Sequence, residues 1–141
     1  MLDNRTEKRI VGDIGEDLAC RFLINKGWRL VDRNYLKKCG EIDLILEDQD
    51  NVLHFIEVKT VSADLLGNIA GNVNHETNLV SRVRPEENIH QRKLERVIKT
   101  ANLYLLSKKI SQETKWQIDA VIVYLDRINK KSSVKLLENI I

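Results

Sequence analysis

The sequence is poor in cysteine, proline, glycine and aromatic residues: its 141 residues include two cysteines, one proline, six glycines and 5% aromatics. Cys20 and Cys39 form no C-x-x-C pair, which excludes a disulfide framework and a four-ligand zinc site built on cysteine. The longest apolar run, Ala120–Leu125, is far shorter than the roughly 20 residues of a membrane span, and Met1–Arg9 lacks a signal-peptide core. We therefore expect a cytoplasmic protein with reduced thiols and no membrane partner.

The remaining composition, 43% hydrophobic and 31% charged, is typical of a globular protein. This balance excludes an intrinsically disordered, collagen-like or low-complexity chain. A length of 141 residues suits one hydrophobic core, and neither an internal repeat nor a linker divides the chain. We expect a single domain over residues 1–141.

The net charge of +2 conceals a sorting of signs along the chain. Residues 41–57 carry six acidic and no basic side chains, residues 26–38 carry five bases against one acid, and residues 82–109 carry eight bases against three acids. An acidic centre between basic segments suits a polyanion bound around a metal ion. A mixed-charge solvated surface is the commoner explanation for any one segment.

Hydrophobic periodicity predicts two amphipathic helices and up to five strands. The first helix spans Ile10–Lys26, and the second follows Pro85. The strand candidates are Trp28–Asn34, Glu41–Leu46, Val52–Thr60, Trp116–Leu125 and Val134–Leu137. We interpret Asn34–Gly40 and Val61–Arg84 as loops. The order predicts an α/β or α+β fold in which a mixed sheet of four or five strands has a helix on each side.

The first predicted helix has one narrow side. At 100° per residue, Gly12 and Gly15 fall on the same side as Glu16 and Ala19, so this side can approach another element closely. Glu16 lies at the border of the apolar stripe, where it is either a site residue or an ordinary boundary glutamate.

The chemically loaded segment is the hairpin formed by the second and third predicted strands. Side-chain alternation places Asp43 so that it faces Glu57 and Lys59 across the two strands. The other face of the first hairpin strand is formed by Ile42, Leu44 and Leu46. Three charged groups therefore converge within otherwise apolar strands.

Two carboxylates at a desolvated sheet face repel one another unless a cation binds them, and hard oxygen ligands select Mg²⁺ or Mn²⁺ over zinc. Lys59 points to the same side as Glu57 and can neutralise a phosphate oxygen. The alternative is an exposed strand edge with a cross-strand ion pair worth about 0.2–1 kcal/mol. The apolar neighbours Phe55, Ile56 and Val58 favour the metal interpretation, because charges embedded among them require a reason.

Three segments together resemble the YraN-type family of small bacterial proteins, and the resemblance spans almost the whole chain. They are Gly15-Glu16-Asp17-Leu18-Ala19, Gly40-Glu41-Ile42-Asp43-Leu44-Ile45 and Phe55-Ile56-Glu57-Val58-Lys59-Thr60. That family is similar to archaeal Holliday-junction resolvases and to the PD-(D/E)xK superfamily. The resemblance implies a restriction-endonuclease-like α/β fold, with a mixed central sheet of four to five strands flanked by helices, and a metal-dependent nuclease site.

Carried over residue by residue, the resemblance implies that Asp43, Glu57 and Glu16 hold Mg²⁺ or Mn²⁺. It makes Lys59 the catalytic lysine, and places Lys93 at the start of the second helix, near phosphate or the site. Resolvase relatives act as dimers, so a homodimer is one expectation. The candidate nucleic-acid contacts are Arg33, Tyr35, Lys37, Lys38, Arg82, Arg84, Arg92 and Lys93.

Two positions depart from the family pattern. Leu36 and Val61 stand where the family commonly has basic residues, so two phosphate contacts are missing. Residues 68–84 form an insertion that the usual pattern lacks. Other chemistries find no support: there is no G-x-S-x-G, Walker-type loop, H-E-x-x-H or G-x-G-x-x-G. For the scattered His54, His75 and His90 we favour no ligand role.

These observations predict a Mg²⁺- or Mn²⁺-dependent endonuclease that hydrolyses DNA, with branched or single-stranded DNA as candidate substrates and sequence-independent phosphate contacts. The alternative is a nucleic-acid-binding or protein-interaction module on a nuclease-like fold. The carboxylates and Lys59 favour the enzyme, whereas the two missing basic residues favour the module.

The insertion supplies two arginines that can replace the missing phosphate contacts. We expect Arg82→Ala/Arg84→Ala to weaken DNA binding and to reduce the salt slope of log K by about 0.9 for each lost phosphate contact. Fluorescence anisotropy at several salt concentrations measures both. Full affinity with an unchanged slope would refute the compensation.

Overall fold

The computed structural model describes residues 4–63 and 91–141. Its elements are α1 (Asn4–Asn25), β1 (Arg29–Lys37), β2 (Gly40–Glu47), β3 (Leu53–Ser62), α2 (Gln91–Ser107), β4 (Trp116–Asp126) and β5 (Lys131–Leu137). The five strands form one sheet in chain order, in which β3 and β4 are parallel and the other pairs antiparallel. The predicted α/β class and mixed sheet are confirmed. Neither α1 nor α2 is long and apolar enough to cross a membrane.

The two helices cover opposite faces of the sheet and define two apolar clusters. On the α1 side, Ala19 and Leu23 pack with buried residues of β2, β3 and β4, including Leu44, Ile56 and Val121. On the α2 side, a second set packs together: Val97, Ala101, Tyr104, Ile45, Phe55 and Ile118. Fully burying one such side chain contributes roughly 1.5–3 kcal/mol, so the two apolar stripes fix which side of each helix faces the sheet.

Helix α1 begins at Asn4 rather than at the predicted Ile10. Its first turns are polar, so periodicity gives no signal there. Glu7, in the first turn, forms an ion pair with Arg127 beyond the end of β4. The N-terminal end of a helix carries a partial positive charge, so the helix dipole also stabilises an acidic group there.

The predicted loop Asn34–Gly40 is wrong, because the structure forms a β-hairpin there. Strand β1 continues to Lys37, which pairs with Gly40 at the start of β2, and residues 38–39 make the turn. The predicted strand Trp28–Asn34 stops short of this continuation because most side chains of β1 are exposed or half-buried on an edge strand, which gives no apolar alternation. At Gly40, a Cβ atom would lie 3.0 Å from Thr100 Oγ1, so glycine allows β2 to approach α2.

The expected face of β2 is also wrong at one residue. Arg33 pairs with Leu44 of β2, and this pair lies on the α1 side of the sheet. The next pair, Tyr35 and Ile42, packs on the α2 side instead. Residues two apart in a strand normally share a face, so the alternation is interrupted between these pairs. Asn34 lies at this point with φ +52°, a left-handed conformation outside the strand region.

Helix α1 touches β3 through a glycine, as its narrow side predicts. A Cβ atom at Gly15 would lie 1.8 Å from Thr60 Oγ1 and 2.9 Å from Thr60 Cβ, so rotation of the Thr60 side chain cannot relieve the overlap. At Gly12, by contrast, no atom of the described residues lies within 4 Å of such a Cβ, apart from its chain neighbours and the adjacent backbone of α1 itself. Gly15 therefore sets the distance between α1 and β3, and Gly12 does not.

These two glycines give a matched pair of variants. We expect Gly15→Ala to destabilise the protein by about 1–3 kcal/mol through overpacking against Thr60. Gly12→Ala should be neutral or stabilising by up to about 1 kcal/mol, because alanine is the better helix former. Urea unfolding measures both, and equal effects of the two substitutions would contradict this account of Gly15.

Candidate metal centre

The pairing of β2 with β3 ends where the candidate residues lie. The ladder runs from Glu47/Leu53 to Leu44/Ile56, and its continuation would place Asp43 opposite Glu57, as the sequence predicts. Beyond Leu44 the backbones are no longer paired. Instead, Asp43 Oδ2 accepts a hydrogen bond from the Val58 backbone N–H at 2.8 Å. The carboxylate thus replaces a strand partner at the point where the two strands separate.

This separation opens a cleft of about 620 Å³ between the first turns of α2 and the middle of α1. The four predicted catalytic residues, Glu16, Asp43, Glu57 and Lys59, all line it, although they come from three different elements. The structure therefore brings the predicted set together, while the catalytic role of each remains a prediction.

Glu57 is the most buried of the cleft carboxylates, with 9% of its side chain exposed. Its Oε1 lies 2.5 Å from Lys93 Nζ, whose side chain is half exposed. Burial raises the pKa of Glu57 above its ordinary value, and the hydrogen bond and charge of Lys93 partly oppose this. Glu57 is thus a desolvated carboxylate that depends on a nearby cation.

Asp43 is held in an environment that disfavours its charge. Burial, followed by the negative charge of Glu57, raises the pKa of Asp43 to about 7, even though the Val58 N–H favours the ionised form. Glu16 and Glu41 add smaller repulsions. A carboxyl group that titrates near neutrality beside other acids marks a candidate functional site.

Glu16 reaches the cleft from α1 and is partly held in place by β1. Its Oε1 lies 3.9 Å from the Arg33 guanidinium. With the Asn34 amide oriented so that its nitrogen faces the acids, that nitrogen donates to Glu16 Oε1 at 2.9 Å and to Glu41 Oε1 at 3.3 Å. Burial raises the pKa of Glu16, and Arg33 opposes this. The left-handed turn of β1 at Asn34 therefore supports the acidic cluster.

The donor set of the cleft fits a hard divalent cation. Glu16, Asp43 and Glu57 offer carboxylate oxygens, the ligands that Mg²⁺ and Mn²⁺ prefer. The pKa values of all three are raised in the protein without such an ion, so a bound cation would relieve the desolvation and repulsion that raise them.

Two further charged residues, Lys8 and Glu41, line the cleft but are not among the site residues that the sequence predicts. Lys8 precedes Gly12 and Glu16 by four and eight residues, a spacing that stacks side chains along one side of a helix. Glu41 lies two residues before Asp43 on β2 and also lines the cleft. Both spacings were available as signals, but Lys8 lies outside the helix that periodicity predicted.

Arg96 is a third such residue, contributed by α2. It follows Lys93 by three residues, so the two share one side of the helix and both line the cleft. A Cβ atom added at Gly40 would lie 3.2 Å from Arg96 Cβ. The absence of that atom lets this part of α2 pack against β2. Arg96 and Lys93 thus form a basic edge beside the acidic groups.

The predicted nucleic-acid contacts are placed unevenly. Lys37, Lys38 and Arg92 are exposed, as phosphate contacts must be. Arg33 is engaged with α1, donating to Asp17 Oδ1 at 2.9 Å. Arg82 and Arg84 lie outside the described residues.

Tyr35 is buried, and its ring packs edge-to-face on Tyr104, which speaks against the nucleic-acid contact predicted for it. Tyr35 is an aromatic residue of the α2-side core. Of the two positions that depart from the family pattern, Val61 is buried with Ile122, so a basic residue there would have to displace core packing. Leu36 is 69% exposed, a position open to solvent.

A second group of potential ligand atoms lies away from the cleft. His54, Asp119 and Glu138 place such atoms within 4.8 Å of one another. Both ring nitrogens of His54 are already bonded, Nδ1 to Asp119 at 2.5 Å and Nε2 to Asp48 at 2.8 Å, and Trp28 stacks on the ring. Burial lowers the pKa of His54, but these two carboxylates outweigh it and raise the pKa. This arrangement is a buried ion network.

A five-stranded mixed sheet covered by helices, with carboxylates from α1, β2 and β3 in one cleft, is consistent with the restriction-endonuclease-like class of α/β proteins. The family model described as "Uncharacterised protein family UPF0102" matches residues 15–123. The chain therefore belongs to UPF0102, which is the YraN family, as its motifs indicate.

Relatives from two bacterial genera support the assignment. The chain is similar to a UPF0102 protein of Sulfurovum sp. (strain NBC37-1), with 37% identity over 91% of this chain and 96% of the relative. It is also similar to UPF0102 proteins of Clostridium botulinum, with 33% identity in strain 657 and 34% in strain Loch Maree, each over 92% of this chain and 91% of the relative. The similarity extends over almost the whole length of each protein.

The raised pKa of Asp43 predicts a pH-dependent stability in metal-free buffer. Because the pKa rises from 3.8 to about 7 on folding, the folded state binds the proton more tightly, and stability should fall as pH rises from about 4 to about 7. Each unit of pKa difference corresponds to about 1.4 kcal/mol, so the loss could reach a few kcal/mol. Asp43→Asn, whose amide oxygen can still accept from Val58, should flatten this dependence.

Urea unfolding in EDTA between pH 5 and 8 measures the effect. Asp50→Asn, at an exposed position in the β2–β3 turn, is the matched control and should leave the pH dependence of the natural protein unchanged. An Asp43→Asn protein whose stability falls with pH as steeply as that of the natural protein would contradict the assigned pKa.

Proposed function

We propose that this protein is a Mg²⁺- or Mn²⁺-dependent endonuclease that hydrolyses phosphodiester bonds in DNA. The single observation that supports this best is the convergence of Glu16, Asp43, Glu57 and Lys59 in one cleft. A site for binding phosphate alone gains nothing from carboxylates, which repel it, so their presence argues for a cation between protein and substrate.

Asp43, Glu57 and Glu16 are the proposed ligands, and Mg²⁺ or Mn²⁺ held by them would supply Lewis-acid activation of water and of the phosphate. The half-buried Lys59 lies two residues after Glu57 on β3 and lines the same cleft. In the proposed reaction its ammonium group donates to a phosphate oxygen and stabilises the negative charge that develops there.

Basic residues near the cleft carboxylates suit contacts with the other phosphates of a DNA strand. Lys8 and Arg96 line the cleft from the two helices, and Lys37 and Lys38 are exposed on the β1–β2 hairpin. Such side chains bind phosphates without reading bases, which fits recognition of DNA shape and leaves branched or single-stranded DNA as the proposed substrates. A homodimer would suit a substrate with two-fold symmetry.

One observation favours the second candidate, a nucleic-acid-binding module without catalysis. Lys93 already neutralises Glu57, so the buried carboxylate has a counter-charge from within the chain. A protein with this ion pair fixed in place would bind polyanions through its basic residues and would need no metal.

Cleavage assays distinguish the two candidates. Linear, single-stranded, flapped and four-way DNA are incubated with the natural protein and Mg²⁺, Mn²⁺ or EDTA. We expect metal-dependent cleavage that falls at least about 100-fold in Asp43→Asn and in Lys59→Ala, because each substitution removes a charge from the reacting centre.

Matched controls come from exposed residues away from the cleft. Asp50→Asn and Lys115→Ala, purified identically, should cleave like the natural protein. Equal cleavage by all variants would reveal a contaminating nuclease. DNA binding that survives EDTA and Asp43→Asn, with no cleavage in either metal, would favour the binding module over the enzyme.

A further inference from the structure

The Glu57 carboxylate is paired with Lys93, whose ammonium group can reach either this carboxylate or the solvent. Lys93 Nζ lies 2.5 Å from Glu57 Oε1, while the lysine side chain as a whole is half exposed. Lys93 is in the first turn of α2, at the mouth of the cleft. Its flexible stem allows the ammonium to sit on Glu57 or to turn toward solvent and cleft without movement of the helix.

The position of Lys93 is not explained by α2 itself. A cation in the first turn of a helix opposes the macrodipole, and this turn contains no acidic residue. The ion pair with Glu57 provides the compensating interaction. Since Glu57 is 9% exposed and Asp43 lies nearby, removal of the ammonium would leave two desolvated carboxylates in one cleft.

We propose that Lys93 is an internal counter-cation. In the metal-free protein its ammonium group pairs with a Glu57 carboxylate oxygen that would otherwise bind the metal, and a divalent cation displaces this ammonium group when it binds. The inference rests on the proposed function, because it takes Asp43 and Glu57 as metal ligands. Two cations cannot share one carboxylate oxygen at contact distance without strong repulsion, so Lys93 and the metal compete. Once displaced, the ammonium of Lys93 remains in the cleft that this residue lines, where it is available to a phosphate.

If Lys93 competes with the metal, its removal changes the metal affinity in the opposite direction from removal of a metal ligand or a supporting residue. Removing a supporting residue weakens metal binding, whereas removing a competing cation strengthens it. We expect Lys93→Met to bind Mn²⁺ about tenfold more tightly than the natural protein, the range expected for losing one charge-assisted hydrogen bond. Lys93→Gln should behave like Lys93→Met, and Lys93→Arg, which keeps the charge, should bind Mn²⁺ like the natural protein.

The experiment is a titration of Mn²⁺ alone, followed by the electron paramagnetic resonance signal of the free ion, without DNA. A pH of about 8.5, above the pKa of about 7 of Asp43, keeps protons from replacing Lys93 as the competitor. Lys99→Met, at an exposed position on α2 that does not line the cleft, is the matched control and should not change Mn²⁺ affinity. Asp43→Asn should lose the binding and so locate the site.

Thermal unfolding gives an independent readout. Without metal, Lys93→Met should be less stable than the natural protein, and saturating Mn²⁺ should raise its melting temperature by more, because tighter binding stabilises the folded state further. Mn²⁺ binding that depends on Asp43 but is unchanged or weaker in Lys93→Met and Lys93→Gln would overturn the inference and leave the proposed metal site standing. No Mn²⁺ binding to either the natural protein or Lys93→Met would overturn both.

Discussion

Repulsion between carboxylates that cannot be fully hydrated is the constraint on which this structure depends. Asp43 and Glu57 are brought toward one another by the register of the β2–β3 hairpin, and the strands part where they meet. The cleft lies where the strands separate. Burial raises the pKa of both groups, and the negative charge of Glu57 raises that of Asp43 further. The backbone, side-chain and charge features of this end of the sheet are three aspects of one arrangement.

Buried carboxylates are neutralised in two different ways in this fold. At the other end of β3, His54 lies fully buried between the carboxylates of Asp48 and Asp119, which raise its pKa, and Trp28 stacks on the ring, so this counter-charge is held in one place. In the cleft, the counter-charge is Lys93, on a long side chain with access to solvent. A rigid buried cation stabilises a core, whereas a removable one leaves its partner available to a ligand.

Close approach of backbones places the supporting groups. Gly15 lets α1 rest against Thr60, which carries Glu16 and Lys8 to the cleft, and Gly40 lets β2 approach α2, which brings Arg96 there. Asn34 interrupts the side-chain alternation of β1 and turns its amide to the acids. The site therefore depends on contacts among α1, α2 and the hairpin, although most of its carboxylates come from the hairpin alone.

Local periodicity in the sequence encodes two apolar helix stripes, the hairpin, and the register that sets Asp43 toward Glu57. The sequence also carries the motifs of the family. Tertiary structure alone decided that Tyr35 is a core residue, that Ile42 changes face at the irregularity opposite Asn34, and that Lys93 pairs with Glu57. The physical reason is range, because periodicity describes the faces of one element, whereas these outcomes depend on which elements meet and on backbone irregularities that interrupt the period.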